Sequence, residues 1–154
     1  MIVIADAGVL ILMQQAGVLP LLEGLYGEVV VTDTVAAECE TLDVKCVSWI
    51  KVVSTDAALV AHDAENWRVD LGEASSIHYA RRQTFSLLLM DDRAGRRCAG
   101  RLGLEVLGSL GVLVLAKRRG LVEAVGPVIQ KYLDCDAWLS ERLIRRVLEQ
   151  AGEL

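Results

Sequence analysis

Apolar and polar positions alternate along the chain in two periods, and the alternation predicts the elements. Short apolar runs occur at Met1–Ala5, Glu28–Thr32, Val47–Val53, Phe85–Met90 and Leu104–Leu107. Runs of this length, rich in Val, Ile and Leu, suit strands buried on both faces of a parallel sheet. The stretches between and after them carry helical periodicity: Val9–Gln15, Leu19–Tyr26, Asp33 to about Leu42, Thr55 to about Glu65, Gly72–Gln83, Arg93–Leu102, Ser109–Arg118, Leu121–Leu133 and Ala137–Ala151. Ser54 reads as the cap of the fourth helix and Asn66–Leu71 as a loop. Strand and helix alternate throughout, which predicts a single α/β domain over residues 1–154, a three-layer α/β/α arrangement with a central parallel sheet of about five strands.

Four places put an acid at or just after a predicted strand end. Asp6 follows the first strand, Glu38 lies in the helix after the second, Glu73 opens a helix, and Asp91 and Asp92 follow the run Leu87–Met90. The carboxyl edge of a parallel sheet is where ligands bind, and strand ends distant in sequence meet there. Adjacent carboxylates repel unless a cation, a proton or a helix N-terminus compensates. Hard divalent cations, Mg²⁺ or Mn²⁺, are bound by such oxygen donors and serve in attack on phosphodiesters. Each acid also has a plainer reading. Asp6, Asp91 or Asp92 would cap the following helix, and Glu38 and Glu73 would be ordinary helix acids.

Charge sharpens the picture. The net charge of −5 divides into 14 acids and 5 bases over residues 1–92, against 7 acids and 11 bases over residues 93–154. An acidic half beside a basic half would set cation-binding carboxylates next to a phosphate-binding surface. Arg93, Arg96 and Arg97, with the run Lys117-Arg118-Arg119, are the candidates for holding a nucleic-acid backbone. The four cysteines form no Cys-x-x-Cys and read as reduced thiols, and His62 and His78 are too isolated for a zinc site. Met1–Leu22 lacks a basic leader, and Leu102–Ala116 is too short to span a bilayer, so a cytoplasmic protein away from membranes is expected.

These motifs resemble the PIN-domain family, which includes the VapC-type toxin ribonucleases, and more closely an uncharacterised bacterial and archaeal branch of it. Asp6-Ala-Gly-Val-Leu-Ile resembles the family's opening, Val35-Ala-Ala-Glu38 its second motif, and Leu71-Gly-Glu73-Ala-Ser its Gly-Glu-Ala signature. Met90-Asp91-Asp92-Arg93 resembles its strand-ending acid motif. Leu104–Gly111 resembles its Gly-Leu-x-Val-x-Gly-Thr-Leu-Gly stretch, with Ser109 in place of threonine. Trp138-Leu-Ser and Glu149–Glu153 resemble its tail. Many PIN proteins carry Thr or Ser where this chain has Met90.

The resemblance implies a metal-dependent endoribonuclease, the toxin of a toxin–antitoxin pair. Asp6, Glu38, Glu73 and Asp92 would be catalytic and hold Mg²⁺ or Mn²⁺, Asp91 would share the metal, and Ser109 would bond a ligand. It also implies an RNA substrate, a small antitoxin partner reaching the acids through a basic residue, and a homodimer. Two other readings use the same residues. A phosphoacceptor receiver domain would employ Asp6, Ser109 and Lys117, and a non-catalytic binding module would use the acids only as caps.

Overall fold

The computed structural model covers residues 1–154 and holds five parallel strands, β1 (Ile2–Ala5), β2 (Val29–Thr32), β3 (Ile50–Val53), β4 (Ser86–Leu89) and β5 (Glu105–Leu107), in the spatial order β3-β2-β1-β4-β5. Each of the five predicted runs contains a strand. The chain moves outward from β1 through β2 to β3, then returns to place β4 on the other side of β1. The direction of winding therefore reverses between β1 and β4, and such a switch point opens a crevice at the carboxyl edge. Registry is continuous across it, with Ala5 paired to Leu89 and the Asp6 amide donating to the Leu89 carbonyl at 2.9 Å.

Alternation along the strands separates two cores. Val3, Ala5, Val29, Val31 and Leu89 face one side, where α1 (Ala7–Gln15), α2 (Leu21–Tyr26), α3 (Asp33–Glu38), α7 (Ser109–Arg118), α8 (Gly126–Asp134) and α9 (Glu141–Gln150) cover them. Ile4, Val30, Leu88 and Met90 face the other, packed by α5 (Leu71–Arg81) and α6 (Arg93–Arg101), with α4 (Ala57–Trp67) against α5. Helices on both faces of an all-parallel sheet make the predicted three-layer α/β/α fold. No helix is long and apolar enough to cross a membrane.

Local chemistry moves several boundaries. α3 stops at Glu38, four residues short of the predicted end, and a 3₁₀ turn at Val44–Cys46 capped by Asp43 precedes β3. α4 is capped by Asp56 rather than Ser54 and runs through Asn66 to Trp67, where Arg68 in the left-handed region ends it. α5 begins at Leu71 because Asp70, read as loop, forms a capping box with Glu73. The predicted helix at Leu121 starts only at Gly126, with Pro127 in its first turn.

The C-terminal residues are stapled to the body of the fold. The Glu153 carboxylate accepts from the amides of Val125 (2.7 Å) and Gly126 (3.0 Å) and from the Lys117 ammonium (2.9 Å), which also donates to the Ala151 carbonyl (2.7 Å). These bonds fix the end of α9 against α7 and α8. The two backbone donors, followed by Lys117, hold the Glu153 carboxyl down at about 2. A carboxyl depressed in the folded state adds stability above its unfolded value, and that stability is lost as the pH falls toward the folded one. Glu153→Gln is expected to cost about 1–3 kcal/mol at pH 7. Its gap from the wild-type protein in thermal melts is expected to narrow progressively below pH 5.

Candidate active site

Asp6 is the first residue after β1, at the switch point, and is 7% exposed. It stands at the cap position of α1 but makes no side-chain capping bond, and its Oδ1 has no hydrogen-bond partner. A buried, unpartnered carboxylate oxygen is costly to retain unless a proton or cation meets it. Burial raises the Asp6 carboxyl to about 7; the Ala7 amide opposes this, and the charges of Asp70, Glu38 and Asp92 add to it.

Glu73 is the second buried acid of the crevice. It lies in the first turn of α5, with its amide donating to Asp70 Oδ1 at 2.8 Å and its Oε2 accepting from the Asp70 amide at 3.3 Å. Burial again pushes its carboxyl well up, and Asp70, Asp92 and Asp6 reinforce the shift. Glu38 sits at the exposed rim, at the end of α3, and is raised by partial burial and by Asp70 against the Gly72 amide. Its carboxylate lies where a side chain on Gly72 would be: a Cβ there would meet Oε1 at 2.5 Å and Cδ at 2.7 Å. Glycine at position 72 therefore leaves room for the Glu38 carboxylate in this position, which a side chain there would displace.

A buried hydroxyl chain holds the two helices in place. The Val35 amide donates to Thr32 Oγ1 (3.1 Å), Thr32 and Ser75 share a 2.7 Å bond, and Ser75 Oγ donates to the Gly72 carbonyl (2.7 Å). The end of β2, the start of α3 and the start of α5 are thus tied together, which places Glu38 and Glu73 beside Asp6.

The two neighbouring acids after β4 part company. Asp92 caps α6, accepting from the Gly95 amide at 3.0 Å, and its charge acts on Asp6 and Glu73. Asp91 turns the other way and accepts from the Ser109 amide at 2.7 Å, at the start of α7. Their mutual repulsion is relieved by two different helix N-termini. Asp91, expected to share the metal, thus has one carboxylate oxygen bonded to the Ser109 amide, whereas Asp92 is the member of the pair whose charge acts on Asp6 and Glu73. Asp70, which the sequence reading placed in a loop, is the acid it missed. The signal was present, because Asp70 and Glu73 have the spacing of a capping box.

The basic candidates also separate. Arg93, Arg96 and Arg97 are exposed on α6 beside the acids, and Arg96 Nη1 donates to the Met90 carbonyl at 3.3 Å. Lys117 is corrected. It lies at the far end of α7, tied to Ala151 and Glu153, and is not free to hold a phosphate. Ser109 lies at the correct edge, but its side chain is buried, and its amide rather than its hydroxyl reaches the acid motif. A receiver-type trio of Asp6, Ser109 and Lys117 is accordingly not assembled. Met90 is fully buried and fills the space over Gly95, where a Cβ would come within 2.5 Å of its sulfur. A small hydroxyl there would leave that volume empty.

No three His, Cys, Asp or Glu side chains are grouped so as to hold an ion as they stand. The donor chemistry nevertheless fits a hard cation. The crevice is dominated by carboxylates, one with an orphaned oxygen and three, Asp6, Glu38 and Glu73, with raised affinity for protons. Mg²⁺ characteristically keeps several waters and takes only one or two carboxylates directly.

A parallel three-layer sheet whose switch point gathers carboxylates from four separate chain segments defines an α/β protein with an acid-edged crevice. Residues 2–153 match the family DUF3368, described as a PIN domain, and the chain belongs to the PIN-domain family. No curated protein and no solved structure gives a match.

The raised Asp6 carboxyl has a stability consequence in the ion-free protein. Between about pH 4 and 7 the folded state keeps a proton that the unfolded state has released, so stability falls as the pH rises through that window. Asp6→Asn is expected to remove this penalty. In EDTA it should be more stable than the wild-type protein by on the order of 2–4 kcal/mol at pH 8, with the advantage vanishing near pH 4, as read from denaturant melts. An advantage independent of pH would show that Asp6 carries its charge freely in the fold.

Proposed function

We propose that this protein is a metal-dependent endoribonuclease and the toxin half of a toxin–antitoxin pair. The observation that carries this reading is the buried Asp6, its Oδ1 unpartnered at the switch point, with the charges of Asp70, Glu38 and Asp92 acting on it and its own acting on Glu73. Such crowding is offset by a bound cation, and Asp6, Glu38, Glu73 and Asp92 are the residues that would hold Mg²⁺ or Mn²⁺. A divalent ion bound there supplies Lewis acidity toward a phosphodiester and lowers the pKa of its water.

The chain's own part is positional and electrostatic. Asp6 and Glu73, held from below by the sheet and by the Thr32–Ser75 chain, form a rigid floor. Glu38 and Asp92 form the rim, where a phosphate would approach. The raised carboxyls of Asp6 and Glu73 would have to give up their protons to hold a cation, so affinity for the ion is expected to rise with pH. Arg93 and Arg97, on the first turns of α6, flank the rim with positive charge for the RNA backbone. The partners that follow from this reading are RNA, a small antitoxin that places a basic side chain among these carboxylates, and a second copy of the chain, acting in the cytoplasm.

Two measurements check the reading. Mn²⁺ titrated by calorimetry is expected to bind the wild-type protein more tightly at pH 8 than at pH 6 and to lose binding in Asp6→Asn/Asp92→Asn. Single-stranded RNA is expected to be cut with Mn²⁺ or Mg²⁺ and left intact in EDTA, with each single Asn variant slower by a factor of roughly 10² or more. RNA cleavage that survives both substitutions removes the acids from the chemistry. Absence of Mn²⁺ binding turns the reading toward a non-catalytic module.

A further inference from the structure

Beside the acids lies a groove of about 540 Å³ that the catalytic reading leaves unused. It runs between the start of α7, the first turns of α6 and the α9 segment. Its walls carry Arg93 and Arg96 from α6, Arg146 from α9, and Trp138, Leu139 and Leu143 from the α8–α9 connection and the start of α9. Asp91 lines the same groove, and the next residue, Asp92, belongs to the acidic crevice, so the two sites adjoin.

Three features give the groove a chemistry. Trp138 is 90% exposed, whereas Trp49 and Trp67 are half-buried. Its ring has no cation over it; the one such contact in the structure sets Arg81 over Trp67 at 5.7 Å. The arginines are also uncommitted to acids, since the two ion pairs of the fold join His78 to Asp63 and Lys117 to Glu153. In a chain of net charge −5, three arginines around one groove outnumber its single acid, Asp91, which is bonded to the Ser109 amide, and they complement an anion. The start of α7 is already taken by Asp91, so positive side chains, not the helix end, would meet that anion.

We propose that this groove is a subsite for single-stranded RNA, with one base stacked on the Trp138 indole and the flanking phosphates held by Arg93, Arg96 and Arg146. It rests on the ribonuclease reading for its ligand and specifies where the strand leaves the acids. A large exposed indole beside arginines is the arrangement that binds unpaired bases without sequence preference, because every base offers a π-face. A paired base cannot offer that face, so the subsite selects single strands. The volume falls in the range of small-molecule pockets, roughly 300–1,000 Å³, and accommodates a nucleotide-sized unit.

The test separates binding from cleavage. A fluorescein-labelled ten-nucleotide single-stranded RNA is titrated in EDTA with the full chain, and anisotropy and tryptophan emission are followed together. Trp138→Ala is expected to weaken binding roughly 5- to 100-fold with an unchanged melting temperature, while Trp138→Phe keeps most of the affinity. Arg146→Gln is expected to lower the slope of log affinity against log salt by about 0.7, and Arg146→Lys to restore it. The same RNA annealed to its complement is expected to bind more weakly.

The subsite is overturned if the wild-type protein does not bind the strand, if Trp138→Ala binds it as tightly as wild type, or if the duplex binds equally well. It is likewise overturned if Trp138→Ala leaves RNA affinity unchanged while dissociating a dimer in sedimentation, which would assign the groove to a second copy. Cleavage of the same RNA with Mn²⁺ is scored in parallel. Binding that depends on Trp138 without cleavage removes the nuclease reading and keeps the subsite. Cleavage with affinity indifferent to Trp138 does the reverse.

Discussion

The fold's central constraint is the accumulation of negative charge at one point of the sheet edge. Asp6 is buried with an unpartnered oxygen, and Glu38, Asp70, Glu73 and Asp92 all bear on the same crevice. Charged groups taken from water without compensation work against folding. The surrounding structure supplies partial relief. Asp70 and Glu73 share a capping box, Asp92 caps α6, and the raised carboxyls of Asp6 and Glu73 retain protons near neutrality. Among the buried acids, Asp6 has neither a capping bond nor a hydrogen bond at Oδ1, and its local structure leaves the burial of that oxygen uncompensated.

Capping and function are therefore not competing readings of these acids. Asp92 and Glu73 serve helix N-termini and also face Asp6, because the parallel sheet delivers helix starts to the same edge as its ligand crevice. The adjacent pair Asp91–Asp92 shows how close the decision is. The two carboxylates leave the chain one residue apart, yet one turns to α6 and the acids, and the other to the start of α7 and the arginine-lined groove. One strand end thus serves two neighbouring surfaces of opposite character, an acidic crevice and a basic, aromatic groove.

Support for these surfaces lies well away from them. The Thr32–Ser75–Gly72 hydroxyl chain sets the spacing of α3 and α5, and the missing Cβ of Gly72 lets the Glu38 carboxylate approach. On the other side, Glu153 and Lys117 fasten the end of α9 to α7 and α8, which fixes the wall that carries Arg146. Lys117, whose charge suggests a phosphate ligand, contributes through this staple.

The order of strands and helices, the parallel sheet and the positions of Asp6, Asp91 and Asp92 just after strand ends were legible in the residues. Each depends on local periodicity and on chain order, and both are written along the sequence. Asp6, Glu38, Glu73 and Asp92 could be picked out because a parallel sheet returns every strand end to one edge. What the sequence could not decide was direction and partnership. Asp91 and Asp92 are chemically identical neighbours, and only the packing of α6 and α7 separates their roles. Asp70 looked like loop until its bond to the Glu73 amide made it a cap. Lys117 and Arg146 are both helix cations, and the fold alone ties the first to Glu153 and leaves the second facing a groove. Period and order are local properties of a chain; the direction of a side chain and the identity of its neighbour belong to the packed structure.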